Sequence, residues 1–193
     1  MKIISMDVSS SVIGCCEWQM ENKKLELKNI RSFILDSNKP LYERFYDFEN
    51  NMRFQQYDLC IMEQRLKGFK SKFSSIDSLL SVSVANEIVS FIMGKIVKEL
   101  HKFHPTSLRS KAGIKRIKGA KVNIKEVVIH FVLNNEVFKN YLYQKKLSAK
   151  DIFQTKEISK GKNKGKEEYM KGVNDAADSF VIGLGGLKVL NLI

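Results

Sequence analysis

Two short apolar runs in this chain end on a carboxylate, and that pairing constrains the fold more than any other feature. Lys2-Ile-Ile-Ser-Met runs into Asp7, and Asp58-Leu-Cys-Ile-Met runs into Glu63. A short apolar run bounded by polar residues reads as a buried strand. Such strands belong to sheets covered on both faces. A carboxylate that continues the run is costly to bury unless it is paired or bound to metal. The chain therefore reads as an α/β layered sheet with acids at two strand ends. A second pair of acids lies near the C-terminus, in Asn174-Asp-Ala-Ala-Asp-Ser-Phe-Val-Ile-Gly183. On a helix Asp175 and Asp178 stand about 60° apart, on one face. Each acid has a plainer reading. Aspartate at a strand end often forms a turn, and two aspartates near a helix start are favoured by its positive end. Together, two strand-end carboxylates and a helical pair can converge on hard divalent cations, for which oxygen ligands are suited.

The rest of the chain is read around these runs. Ile13–Met20 and Leu25–Leu35 follow the first run as strands, joined by a polar turn at Asn22-Lys-Lys24. Three early strands in meander order predict an antiparallel start. Pro40 opens a helix through about Gln56, with Leu41, Phe45, Phe48 and Met52 at helical spacing. A long helix is expected over about Ser75–His101, a brief strand at Leu108–Arg109, and a helix over Val122–Asn134. The last helix begins near Asn174, a good N-cap, and Gly185-Gly186 weakens its end. Between these two helices lies a basic stretch at about 135–172, Asn135–Gly172, whose Lys160-Gly-Lys-Asn-Lys-Gly-Lys166 run reads as mobile.

At 193 residues the chain is read as one domain carrying that stretch as an insertion. The charge is more telling: 33 Lys and Arg against 21 Asp and Glu give a net +12. Residues 111–171 alone hold 16 Lys and Arg against 6 Asp and Glu. A polyanionic partner is the natural reading, with a solvated lysine-rich surface as the plain one. Cys15, Cys16 and Cys60 form neither a disulfide framework nor a zinc pattern, and read as buried thiols in a reducing compartment. No apolar run is long enough to span a bilayer. The expectation is a soluble, intracellular protein with no membrane partner. Of three histidines, His101 and His104 read as caps at the end of the long helix rather than catalytic groups.

Taken together the acidic motifs resemble the RuvC family of Holliday-junction resolvases, including its phage and poxvirus branch. Asp7-Val-Ser-Ser-Ser-Val-Ile-Gly14 is similar to the family's first motif, Ile61-Met-Glu63-Gln64 to its second, and Asp175-Ala-Ala-Asp178 with Ser179-Phe-Val-Ile-Gly183 to its third. The resemblance covers most of the chain in order. It implies a ribonuclease H-like mixed sheet flanked by helices. It further implies that Asp7, Glu63, Asp175 and Asp178 are the catalytic, metal-binding acids. Two ions of Mg²⁺ or Mn²⁺ would serve each site, and the working form would be a homodimer. Bacterial relatives carry an aromatic wedge soon after the second-motif glutamate. Here the residue three beyond Glu63 is Leu66, and Phe69 is the candidate wedge. The large basic stretch leans toward a viral relative, which would act in a host-cell cytoplasm.

The implied activity is metal-dependent resolution of four-way DNA junctions by paired symmetric cuts. Lys67, Lys70 and Lys72 flank the second motif, and Arg109, Lys111, Lys115, Arg116, Lys118 and Lys121 form a dense cluster. All are candidate DNA contacts, and phosphate contacts position a duplex without reading its sequence. On the long helix, Val82, Ala85, Val89, Ile92, Met93, Ile96 and Leu100 form one apolar stripe, and Leu80, Val84 and Phe91 a second. The second stripe reads either as a subunit contact or as a face buried within one chain. Rival functions are another ribonuclease H-like nuclease acting on flaps or RNA–DNA hybrids, a non-catalytic junction-binding protein, and an actin-like ATPase. Product analysis separates the first. The intact set of four acids argues against the second, and the lack of a further Gly-rich phosphate motif between residues 60 and 170 against the third.

Overall fold

A computed structural model describes residues 1–64, 76–114, 123–161 and 163–193. The first three strands, β1 (Lys2–Val8), β2 (Val12–Glu21) and β3 (Lys24–Ile34), form an antiparallel meander. The turn into β3 places Asn22 and Lys23 at positive φ. β4 (Tyr57–Glu63) then pairs parallel to β1, and β5 (Val97–Phe103) parallel to β4. The sheet order is β3-β2-β1-β4-β5. It is a mixed α/β sheet with an antiparallel start, as the resemblance implies.

Alternation along the strands divides the core in two, because successive side chains point to opposite faces. Ile3, Cys16, Trp18, Leu59 and Ile61 face the C-terminal helix α8 (Val173–Val189) and its neighbours. These neighbours are α4 (Pro105–Ala112), α5 (Ile124–Asn134) and α6 (Glu136–Lys145). Ile4, Met6, Ile13, Cys15, Cys60 and Met62 face α3 (Ile76–Gly94) and the short helices α1 (Leu41–Arg44) and α2 (Tyr46–Met52). Cys15, Cys16 and Cys60 are all buried and unbonded to one another.

Several elements differ from the sequence reading. The long helix stops at Gly94, and β5 follows after a two-residue turn. Ile96 and Leu100 do pack in the core that α3 faces, but from the turn and the strand rather than from the helix. His101 therefore lies in β5, and His104 caps the start of α4 by accepting from the Thr106 amide at 3.3 Å. Leu108 and Arg109 are helical, not extended. The helix after Pro40 is two short pieces meeting at Phe45, whose buried ring fixes the corner. Gly172 at φ 94, not Asn174, is the N-cap of α8.

Residues 135–172 hold more order than their polarity suggests. Asn135 caps α6 by accepting from the Val137 amide at 3.0 Å, and α6 buries Phe138 and Tyr141. A Ser148/Asp151 capping box starts α7 (Ala149–Ile152). Phe153 is buried against Phe138, 5.3 Å between centroids. Only then comes a polar hairpin, β6 (Thr155–Glu157) with β7 (Glu167–Tyr169). Among the described residues no helix is long and apolar enough to cross a membrane.

Candidate active site

The parity that sorts the core also aims the acids. Asp7 continues the series Ile3, Ser5 on β1, and Glu63 continues Leu59, Ile61 on β4, so both belong to the face covered by α8. Met6 pairs with Met62 in the parallel ladder, so the next residues, Asp7 and Glu63, emerge side by side from adjacent strand ends. Neighbouring strands lie about 4.8 Å apart. Asn86, a buried polar residue of α3, donates to the Glu63 carbonyl at 3.3 Å and ties that strand end to the opposite layer.

Helix α8 supplies the other two acids, and small residues set how closely it approaches. Gly14 pairs with Asp7 across the hairpin. A Cβ at Gly14 would collide with the Asp175 carbonyl, so the missing side chain is what lets the first turn of α8 lie against β2 beside Asp7. Two turns on, a Cβ at Gly183 would come within 2.6 Å of Ser5 Oγ and 2.7 Å of Trp18 Nε1. Gly185 and Gly186, expected to weaken the helix end, are instead buried within it, against the Leu108 backbone and Ile61.

A buried polar seam fixes the same register. The Trp18 indole donates to Ser5 Oγ at 2.8 Å, and Ser5 Oγ donates to the Ser179 carbonyl at 2.7 Å. Cys16 Sγ lies 3.2 Å from Ser179 Oγ, which donates to the Ala176 carbonyl at 2.7 Å. Buried hydroxyls are costly unless bonded, so this chain of bonds admits few slips of α8 along the sheet.

Arg109 has a further set of partners. Placed by sequence among the DNA contacts, it reaches into the acids from α4, with Nη2 3.3 Å from Asp178 Oδ1 and 3.9 Å from Glu63 Oε2. Lys111 lies exposed on the same helix. Lys67, Phe69, Lys70, Lys72, Lys115, Arg116, Lys118 and Lys121 lie outside the described residues, as does Leu66.

The electrostatics match a crowded acidic pocket. Burial pushes the Asp7 carboxyl well above its ordinary range, and the charges of Asp178, Glu63 and Asp175 push it further while Arg109 opposes them. Burial also raises Asp178, against the contact with Arg109. Asp175 is raised by burial and relieved in part by Lys125 and Lys171, two cations the sequence did not single out. All four acids thus act on one locus. Among the described residues, no three carboxylate, histidine or cysteine groups already surround one point at coordinating distance. Arg109 is the cation that bridges Glu63 and Asp178 in this arrangement.

No protein-family model matches the chain, and no curated protein matches it. Solved structures do. Thermus thermophilus RuvC in complex with a Holliday junction substrate aligns over 99% of this chain and 96% of its own, at 12% identity and a TM-score of 0.61. The fowlpox virus Holliday junction resolvase aligns over 98% and 99%, at 16% identity and 0.53. The chain has the RuvC-type resolvase fold. The yeast mitochondrial Holliday junction resolvase shares it too, over 98% of this chain and 79% of its own, at 14% identity and 0.51. Within the resolvase fold, the glycines and the polar seam explain how a chain so divergent in sequence keeps α8 in register with β1 and β4.

Proposed function

We propose that this chain is a divalent-metal-dependent endonuclease that resolves four-way DNA junctions by paired, symmetric cuts. The observation that carries the reading is the convergence of Asp7, Glu63, Asp175 and Asp178 on one strand-end edge, with mutual charge repulsion that, among the described residues, Arg109, Lys125 and Lys171 offset in part. Such a site favours a cation. The donor set is all oxygen, which fits Mg²⁺ or Mn²⁺. When bound, two such ions would activate a water and neutralise charge at the scissile phosphate. The acids would hold them, and Arg109 would release Glu63 and Asp178 as it is displaced.

Fold neighbours solved with Holliday junction DNA support the choice of substrate, as does the net charge of +12. Four-way junctions have two-fold symmetry, and paired cuts need two sites. The outer face of α3 supports a second copy there: Leu80, Val84 and Phe91 are 58%, 46% and 70% exposed, on a helix whose other face is core. A homodimer through this face would place two sites on two strands.

The testing experiment offers the protein, in Mg²⁺, a labelled four-way junction, a flap, an RNA–DNA hybrid and a linear duplex. The proposal expects the junction to be cut in preference to the others, into two nicked duplexes. Preferential cleavage of the flap or the hybrid would replace the resolvase reading with that of another nuclease of the same fold.

A further inference from the structure

The β6–β7 hairpin carries a cluster of lysines that the candidate site does not use. Its legs are fastened at both ends. On the incoming side Phe153 is buried against Phe138, which meets Phe180 of α8 edge-on at 6.0 Å. On the outgoing side the Met170 amide donates to the Gln154 carbonyl at 2.9 Å, and Ser32 Oγ donates to the Gly172 carbonyl at 2.6 Å. The hairpin therefore springs from the first turn of α8, the turn that carries Asp175.

Charge is sorted along it. The paired root holds Glu157, Glu167 and Glu168, with Lys156 bridged to Glu168 at 3.4 Å. The tip, residues 159–166, holds four lysines and no acid. Lys160, Lys164 and Lys166 are exposed there, and among the described residues none of them pairs with an acid. The tip backbone is nonetheless bonded. The Ile158 amide donates to the Lys166 carbonyl at 2.9 Å, the Gly165 amide to Ile158 at 2.9 Å, and the Lys164 amide to Gly161 at 3.1 Å. Gly161 and Gly165, at φ 83 and 85, make those turns without strain. Unpaired lysines on a hydrogen-bonded loop present a positive surface to an anionic partner.

We propose that this hairpin is a preformed phosphate clamp for the duplex arm beside the cut site, an assignment that rests on the junction-cleaving reading above. The chain runs extended from Gly165 to Met170, five residues, so at about 3.3 Å per residue the loop that carries Lys160 and Lys164 begins roughly 16 Å from the start of α8. That distance matches about five base pairs of a duplex arm at roughly 3.4 Å each. Lys171, at the hairpin exit, continues the positive path toward Asp175. The clamp reads backbone, not bases, because its donors are ammonium groups alone.

The test measures binding, in EDTA, to four-way junctions whose arms are either about 15 or about 4 base pairs long, the shorter ending near 14 Å and short of the tip. The triple variant K160Q/K164Q/K166Q should bind the long-arm junction more weakly, with a log–log salt slope reduced by up to about 2.7 for three lost contacts. It should bind the short-arm junction as the unaltered protein does. K23Q/K24Q, at the far end of the β2–β3 hairpin, should change neither. Equal loss on both arm lengths, an unchanged slope, or an equal effect from K23Q/K24Q would overturn the clamp while leaving junction cleavage by the unaltered protein intact. Failure of the unaltered protein to bind or cut any junction would overturn both readings.

Discussion

The carboxylates of the site are half-buried, mutually repelling and bridged by one guanidinium. Folding without metal is costly here, and the cost has a definite pH dependence. The folded-state values of Asp7, Asp175 and Asp178 are all raised above their ordinary ones. A raised carboxylate contributes stability that is full below its unfolded value, near 3.9, and is lost as pH rises through the folded value. Metal-free protein should therefore lose stability as pH climbs from about 4 toward neutrality, as these groups ionise. Added Mg²⁺ or Mn²⁺ should raise the unfolding temperature more at pH 7.5 than at pH 5, which thermal melts at the two pH values can check. Equal shifts at both would disconnect the acids from metal binding. Asp7→Asn removes one of the repelling charges at constant volume. It should raise the metal-free unfolding temperature, by about 2–4 °C for each kcal/mol relieved, and abolish the metal-induced shift. Asp7→Asn, Glu63→Gln, Asp175→Asn and Asp178→Asn should each slow cleavage by at least about 100-fold, since even outer-shell changes at metal sites cost 10–100-fold. Junction binding should survive in all four, because less negative charge faces the phosphates. Near-normal cleavage by either helix variant would break the four-acid site.

Between elements, the site depends on how closely α8 approaches the sheet. Gly14→Ala puts a methyl group where the Asp175 carbonyl lies. Overpacking of this kind costs about 1–3 kcal/mol, and here it also moves Asp175 away from Asp7. Cleavage should fall further than the stability loss accounts for when measured well below the unfolding temperature. Gly94→Ala, at the open C-terminal end of α3, meets no atom within 4 Å and should be neutral or slightly stabilising. A Gly14→Ala variant with normal kcat would show that the close approach is dispensable. At this scale the limits of sequence reading have physical causes. The strands bearing Asp7 and Glu63 were legible because apolar runs ended abruptly on charges. The two Asp on α8 were legible from their spacing. β5 was not, because Ile96 and Leu100 fall at the helical spacing of α3 while packing from a turn and a strand. With that strand absorbed into a helix, α4 was lost too, and the contacts of Arg109 with two carboxylates were out of view. Ser5, Trp18 and Ser179 left no signal, since a buried hydroxyl pair looks like any other strand or helix polar residue until the layers meet.

For the whole molecule, paired cleavage requires two sites acting on one branched substrate. Leu80→Glu with Phe91→Glu places two charges on the exposed apolar face of α3. If that face joins two copies, the double variant should sediment as a monomer and leave junctions with single, unpaired nicks. An unaltered protein that remains monomeric at working concentration yet makes paired cuts would remove α3 from the assembly. The most direct measurement is strand-resolved mapping of cleavage on a four-way junction, with Mg²⁺ and with EDTA, for the unaltered protein and for Asp7→Asn. Symmetric cuts are expected on two opposing strands at the branch point in Mg²⁺, and none in EDTA or with Asp7→Asn. Cuts that persist in EDTA, survive Asp7→Asn or fall on one strand alone would contradict paired, metal-dependent cleavage.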